Sequence, residues 1–287
     1  MTRRLRAGWP IAILLLIYGS VEGGTQPAPA PGEPHIYEYR TVGDDSLKAY
    51  VFSPTPRANE AANAVLLFHG GGWASGAPEW VFATAERFAS YGLVAIAIEY
   101  RLADSSTTPI DALDDVCHAL EWTHGHAAEL GITDKIAGYG VSAGGQLIAA
   151  AATVGCSGSD PKLDALLLWS PAIDVVNDGY FAKLLQGRGK AIDYSPADHV
   201  SATTPPTCIV QGAKDTLTPL AGAQKFHDRM VKAGAVCELN VYPDVGHLLT
   251  RKLDNQETDF DPDPAKRADG IEKFRLFLIR TGFIPNG

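Results

Sequence analysis

The chain has 287 residues, 46% of them hydrophobic and 20% charged, enough apolar material to bury one large core. Its 33 acidic residues outweigh 24 basic ones for a formal charge of -9, and no basic cluster lies outside the extreme N-terminus. That balance argues against a nucleic-acid partner, whose phosphates need a basic face. Arg3, Arg4 and Arg6 precede an apolar stretch from Trp9 to Tyr18, and small residues follow at Gly19, Ser20, Gly23 and Gly24. A basic head, a short apolar middle and a small-residue exit predict a secretory signal peptide over residues 1–24. Its uncharged span, residues 7–21, is 15 residues long, short of the ~20 that a spanning helix needs. The Arg3-Arg4 pair is a weak hint of twin-arginine export. Cleavage near Gly24 removes three Arg and Glu22, moving the charge from -9 to -11. Residues 25–34, rich in proline, lack the donors for helix or ladder bonds and read as an extended linker. Residues 35–287 remain as one domain.

Residues 36–40 and 47–52 alternate in polarity around Gly43-Asp44-Asp45, which predicts an antiparallel hairpin. Beyond it, near-continuous apolar strands alternate with helical patterns, the mark of a parallel sheet covered on both faces. Strands are predicted at 64–68, 93–100, 136–139, 165–169, 208–212 and 239–243. Helices are predicted at 80–91, 111–122, 145–153 and 263–279, the last opened by Asp263-Pro264 as cap and first turn. Residues 171–205 break the alternation and predict a short cap, with Tyr180, Phe181, Leu184 and Leu185 as its apolar lining.

The chemistry concentrates at three places. Gly140-Val141-Ser142-Ala143-Gly144 is a G-x-S-x-G sequence between a strand and a helix, where a strained turn lifts the serine hydroxyl clear of the sheet. Upstream, His69-Gly70-Gly71-Gly72-Trp73 closes a strand with bare backbone suited to receiving an oxyanion, together with the N–H of Ala143. Downstream, Lys214-Asp215 and Gly246-His247 follow two later strands. A nucleophilic serine needs a base and an orienting carboxylate, and serine, acid, histidine is the chain order of the α/β-hydrolase fold.

These residues resemble α/β-hydrolase esterases of the hormone-sensitive-lipase-like kind, and most of all the branch of bifunctional feruloyl and acetyl-xylan esterases. The matching pieces are residues 69–73, Glu99-Tyr100-Arg101-Leu102, residues 140–145 and 195–200, Pro205-Pro206-Thr207, Lys214-Asp215 and Gly246-His247. They span nearly all of the chain after residue 35. One departure stands out: relatives often continue Tyr-Arg-Leu with Ala-Pro-Glu, whereas Ala103-Asp104-Ser105-Ser106 follows here. The resemblance implies an eight-stranded, mostly parallel α/β-hydrolase sheet with a cap after strand 6. It implies Ser142 as nucleophile, His247 as general base, Asp215 as orienter, and Gly71, Gly72 and Ala143 as oxyanion donors, with no cofactor and no metal. The expected substrates are short-acyl, acetyl-type esters, small or borne on plant polysaccharide. The alternative is a feruloyl esterase or an arylformamidase-like amide hydrolase. The expected location is secreted or periplasmic, with no nucleic-acid partner and no stable membrane association once the signal is removed.

Other readings of the same residues compete. Residues 138–143 formally satisfy the dinucleotide fingerprint G-x-G-x-x-A, but the next strand ends in Ser170-Pro171 without a ribose-binding carboxylate. Cys117, His118, His124 and His126 fit no standard zinc spacing. Trp73 is expected to wall the glycine loop, His69 to orient it, and His199 to fix the return of the cap. Arg101 is expected to pair with an internal carboxylate such as Asp115. Asp244 is a rival for the acid, better placed to shape the histidine loop. A binding module that keeps the fold but not the chemistry is disfavoured by the presence of all three triad residues. Of the four cysteines, Cys208 and Cys237 sit on neighbouring strands, and Cys117 and Cys156 on one side of the sheet. The favoured expectation is four free, buried thiols acting as small apolar residues.

Overall fold

The structure, a computed structural model, describes residues 33–54, 60–158 and 162–286. The expected signal peptide and all but the last two residues of the expected linker lie outside the described residues. Strands His35–Val42 (β1) and Asp45–Phe52 (β2) form the expected hairpin, and β2 runs antiparallel to Val94–Ile98 (β4). All other pairings are parallel: Ala62–Phe68 (β3), Ile132–Val141 (β5), Ala165–Trp169 (β6), Thr207–Gly212 (β7) and Cys237–Tyr242 (β8) complete the order β1-β2-β4-β3-β5-β6-β7-β8. This is the α/β-hydrolase sheet.

The period of two along each central strand divides the core into two layers. Leu66 and Phe68 enter one layer, Val65 and Leu67 the other. Helices Pro109–Gly125 (α2), Ala143–Thr153 (α4) and Leu220–Lys232 (α6) cover the first face, while Phe82–Ser90 (α1) and Pro264–Arg280 (α7) cover the second. The short helix Ala127–Leu130 (α3) follows α2 directly. Helix starts follow local chemistry. Asp263 accepts from the Ala265 and Lys266 N–H groups, and Asp111 accepts from the Thr108 N–H at the head of α2.

Burial also explains the arginine. The Asp115 carboxylate, fully buried, receives the Arg101 Nε at 2.8 Å and also pairs with Arg40, joining α2 to β1 and to the end of β4. The divergent loop at Asp104 folds on that side chain, whose Oδ1 accepts from the Ser106 and Thr107 N–H groups at 2.7 Å each.

The cap segment holds Gly179–Leu184 (α5) and two short 3-10 turns, Ala191–Tyr194 and Pro196–Asp198. Its return is pinned by Asp198, which takes Lys225 Nζ at 2.7 Å and Arg229 at 2.9 Å from α6, and His199 Nε2 lies 2.9 Å from the Ile192 carbonyl. Phe181 and Leu185 do not line an open pocket as expected. Both are 1% exposed, with the Phe181 ring edge-on to Trp73 at 4.8 Å, because the amphipathic turn points them at the core. Tyr180 on the opposite side is 52% exposed.

The expectation of four free thiols is also corrected. Cys117 of α2 and Cys156, just beyond α4, are joined in a disulfide with Cα atoms 5.7 Å apart, since both helices pack on the same face. A bridge between Cys208 and Cys237 is ruled out by register. Cys237 pairs with Thr207 and Cys208 with Glu238, so the two thiols point to opposite layers.

Closing a loop of this size constrains the unfolded chain by about 2–4 kcal/mol. The Cys117→Ser/Cys156→Ser protein is expected to lose stability of that order in denaturant unfolding. Thiol titration of the unfolded, unreduced protein should detect Cys208 and Cys237 alone; reactivity at Cys117 or Cys156 would show that the bridge does not form.

Candidate active site

The elbow forms where β5 gives way to α4. Ser142 has φ 51° and ψ -115°, a conformation that costs a non-glycine residue on the order of 1–3 kcal/mol. Its backbone is held on both sides: its N–H donates to the Trp169 carbonyl at 3.0 Å, and its carbonyl accepts from Gln146 and Ala172 at 3.1 Å each. The flanking glycines are required by close approach. A Cβ on Gly140 would lie 2.6 Å from the backbone of Gly145, and one on Gly144 would overlap the Phe68 and His69 carbonyls. The hydroxyl of Ser142, half-buried, forms no hydrogen bond among the described residues.

Beside it, the glycine loop runs through consecutive positive φ values at Gly71, Gly72 and Trp73. A Cβ on Gly71 would overlap the Ser75 carbonyl, so the position excludes any side chain. The N–H groups of Gly71, Gly72 and Ala143 donate to no acceptor among the described residues. Trp73 walls the loop from below, 3% exposed, its Nε1 donating to Gln146 at 2.8 Å. His69 orients the loop's entry. Its Nδ1 lies 2.6 Å from the Gly70 carbonyl, and Tyr100 stacks on its ring and donates to its carbonyl at 2.8 Å. Burial holds the His69 imidazole below its ordinary pKa and the Tyr100 phenol well above its own, so both are neutral at neutral pH. Tyr180 rises from α5 against Gly72, its ring 3.3 Å from where a Cβ would stand.

Asp215 and His247 come from the loops after β7 and β8. Asp215 folds a tight turn by accepting from the Leu217 and Thr218 N–H groups at 3.0 and 2.8 Å on Oδ1. Its Oδ2 faces His247 Nδ1 at 2.9 Å, and both side chains are almost wholly buried. Against a carboxylate acceptor the Nδ1 carries the proton, which leaves Nε2 as the acceptor. Asp244, the rival acid, is exposed at φ 60° and makes no hydrogen bond to His247.

Three further residues tie this arrangement together, and sequence reading passed over them. Thr218 Oγ1 lies 2.9 Å from Asp215 Oδ2, 3.2 Å from His247 Nδ1 and 3.0 Å from the Ser170 carbonyl. Ser170, next to the Trp169 that holds the elbow, accepts the Leu248 N–H on its hydroxyl at 3.2 Å. Serine elbow and histidine loop thus meet at the end of β6. Gln256 sits behind His247. The Asp215-Thr216-Leu217-Thr218-Pro219 turn was a readable signal for Thr218; nothing in the sequence marks Ser170 or Gln256.

His118, His124 and His126, whose spacing fits no zinc pattern, are engaged by nearby carbonyls. His118 Nδ1 lies 2.8 Å from the Asp114 carbonyl, His126 Nδ1 2.8 Å from that of Trp122, and His124 Nε2 2.9 Å from that of Lys162.

A family of proteins with the α/β-hydrolase fold matches residues 65–190. The chain is 39% identical over 109 residues to an arylesterase of Saccharolobus solfataricus, covering 37% of this chain and 35% of that protein. It is 28% identical over 243 residues to the probable carboxylic ester hydrolase LipM of Mycobacterium tuberculosis, covering 72% of this chain and 56% of that one. The matches thus span about a third to just over half the length of these relatives. Esterase 2 of Thermogutta terrifontis superposes with a TM-score of 0.79 at 28% identity, over 90% of this chain and 96% of that one. The same esterase has also been solved with propionate and with butyrate bound. By its sheet order and the pattern matched across residues 65–190, the chain has the α/β-hydrolase fold and is similar to carboxylic ester hydrolases.

Proposed function

We propose that this protein is a serine carboxylesterase acting on short-acyl esters through Ser142, His247 and Asp215. One observation carries the reading: Asp215 and His247, 32 positions apart in sequence, meet at 2.9 Å in a buried pair beside a strained serine elbow. A structural ion pair alone does not explain the strained serine or the unused N–H groups of Gly71, Gly72 and Ala143 next to it.

In the proposed reaction His247 Nε2 takes the proton of Ser142 as its oxygen attacks the ester carbonyl. Asp215 fixes the tautomer and stabilises the imidazolium. The three N–H groups receive the oxyanion; in a related serine hydrolase the loss of one such donor costs on the order of 3 kcal/mol of transition-state stabilisation. Collapse of the tetrahedral adduct expels the alcohol, which takes the proton from His247, and leaves the acyl-serine. Water then attacks the acyl-serine, giving its proton to His247, and the carboxylic acid leaves as Ser142 recovers that proton.

Short acyl groups are favoured by the small cap and by Tyr180 standing over the glycine loop. Propionate and butyrate in the similar Thermogutta esterase support the same range. The proposed substrates are acetyl-type esters, with acetylated plant polysaccharide among them. Export follows from the N-terminal pattern, and the Cys117–Cys156 disulfide supports it, because such bridges persist in oxidising compartments.

Ser142→Ala is expected to lower p-nitrophenyl acetate turnover roughly 10⁴–10⁶-fold and to abolish fluorophosphonate labelling; retained turnover would refute the nucleophile assignment. Asp215→Asn should keep the fold and lose about 10⁴-fold in kcat, since the amide reverses the imidazole tautomer. Across p-nitrophenyl esters, kcat/KM is expected to peak between acetate and butyrate and to fall by octanoate. Release of acetate from acetylated xylan, compared with hydrolysis of methyl ferulate, assigns the natural substrate; faster cleavage of the ferulate would sink the acetyl reading.

A further inference from the structure

Residues 251–260 leave the body of the protein after the histidine and are exposed at every position but one. The exception is Gln256, 4% exposed. The excursion is pinched shut at its base: Thr250 pairs with Pro262, the Arg251 N–H donates to the Asp261 carbonyl at 3.0 Å, and the Asp263 N–H to the Leu249 carbonyl at 2.9 Å. A loop closed in this way is compact and carries its central residue inward.

The Gln256 amide uses its full hydrogen-bonding capacity there. Its Oε1 accepts from the N–H of His247 at 2.7 Å and from the N–H of Thr216 at 3.2 Å. Its Nε2 donates to the Lys214 carbonyl at 2.9 Å and to the Leu253 carbonyl at 3.4 Å. Lys214 and Thr216 are the two neighbours of Asp215. One side chain therefore grips the backbone on both sides of the acid and the backbone of the histidine itself. Gly246 makes this possible, because a Cβ there would overlap the amide. No other residue type makes all four bonds from this position. Asn is a methylene too short, and Glu would set a carboxylate oxygen against two carbonyls.

We propose that Gln256 is a positioning residue for the triad, fixing the separation of the Asp215 and His247 loops while touching neither side chain. The proposal rests on the esterase reading for its kinetic test, and one arm does not need it. Gln256→Met removes all four bonds at similar length; Gln256→Glu keeps the two acceptor bonds. With p-nitrophenyl acetate and competent sites counted by fluorophosphonate titration, Gln256→Met is expected to lower kcat per titrated site about 10- to 100-fold, with KM within about two-fold. Gln256→Glu should fall between the two. A low-field proton resonance from the His247–Asp215 hydrogen bond is expected in the parent protein and should broaden or vanish in Gln256→Met. A folded Gln256→Met with unchanged kcat per site, or fewer competent sites at the parent rate per site, overturns the proposal; so does an unchanged proton resonance. If Gln256→Met does not fold, a Gln256→Glu protein with parental kcat and parental resonance overturns it equally. A parent protein that neither labels nor turns over ester refutes the esterase reading instead, and the resonance still decides the role of Gln256.

Discussion

The register of β5 on β6 is the constraint from which the site follows. Val141 pairs with Trp169, so the Ser142 N–H falls on the Trp169 carbonyl and the strained elbow is held by a ladder bond that continues the sheet. The next residue on β6, Ser170, then lies between the elbow and the loops after β7 and β8. It too has positive φ, at 43°, and its N–H donates to the Val210 carbonyl at 2.8 Å. A slip of one residue would turn every side chain of β6 to the other layer and carry this junction away with it. The layered apolar core, continuous on both faces, is what forbids the slip. Precision at the site is therefore inherited from packing far beneath it.

Polar burial is concentrated where that junction needs it. Asp215 accepts two backbone N–H groups, the Gln211 amide, Thr218 and His247, so its charge is dispersed over fixed donors and not left to solvent. A network of this kind has few alternative arrangements, although Gln211 Oε1 is buried without a hydrogen-bond partner among the described residues. The arginine pair on Asp115 is the contrasting case. It is equally buried and equally connected, but it lies between α2 and the β1–β4 edge with no nucleophile near it, and it holds the first helix of the core layer to the sheet.

Most of the architecture was readable from the chain, for reasons visible in particular residues. Continuous apolar runs such as Ala64-Val65-Leu66-Leu67-Phe68 announce strands buried on both faces, and Asp263-Pro264 announces the start of α7. The elbow, the glycine loop and the order of serine, acid and histidine were legible because each needs a rare residue type at a fixed spacing. What escaped was set by three-dimensional neighbours alone. The Cys117–Cys156 bridge depends on how α2 packs beside α4, which a one-dimensional pattern does not encode. Phe181 reads as pocket lining until Trp73 is seen to occupy the space it packs into. Gln256 lies in a polar run whose composition describes solvent, and only the pinched base of the loop turns it inward.

The two buried histidines show how surroundings assign roles to one side chain. His69 and His247 are 1% and 3% exposed, each at the end of a strand or its following loop, each with Nδ1 engaged. His69 is offered a carbonyl and a phenol, neither of which holds a proton charge, and desolvation drives its pKa down. It is a neutral strut for the glycine loop. His247 is instead offered the Asp215 carboxylate at 2.9 Å, itself held by the Leu217 and Thr218 N–H groups. In the proposed reaction the base for the serine must become charged and return within each turnover, and of these two imidazoles only His247 faces a carboxylate.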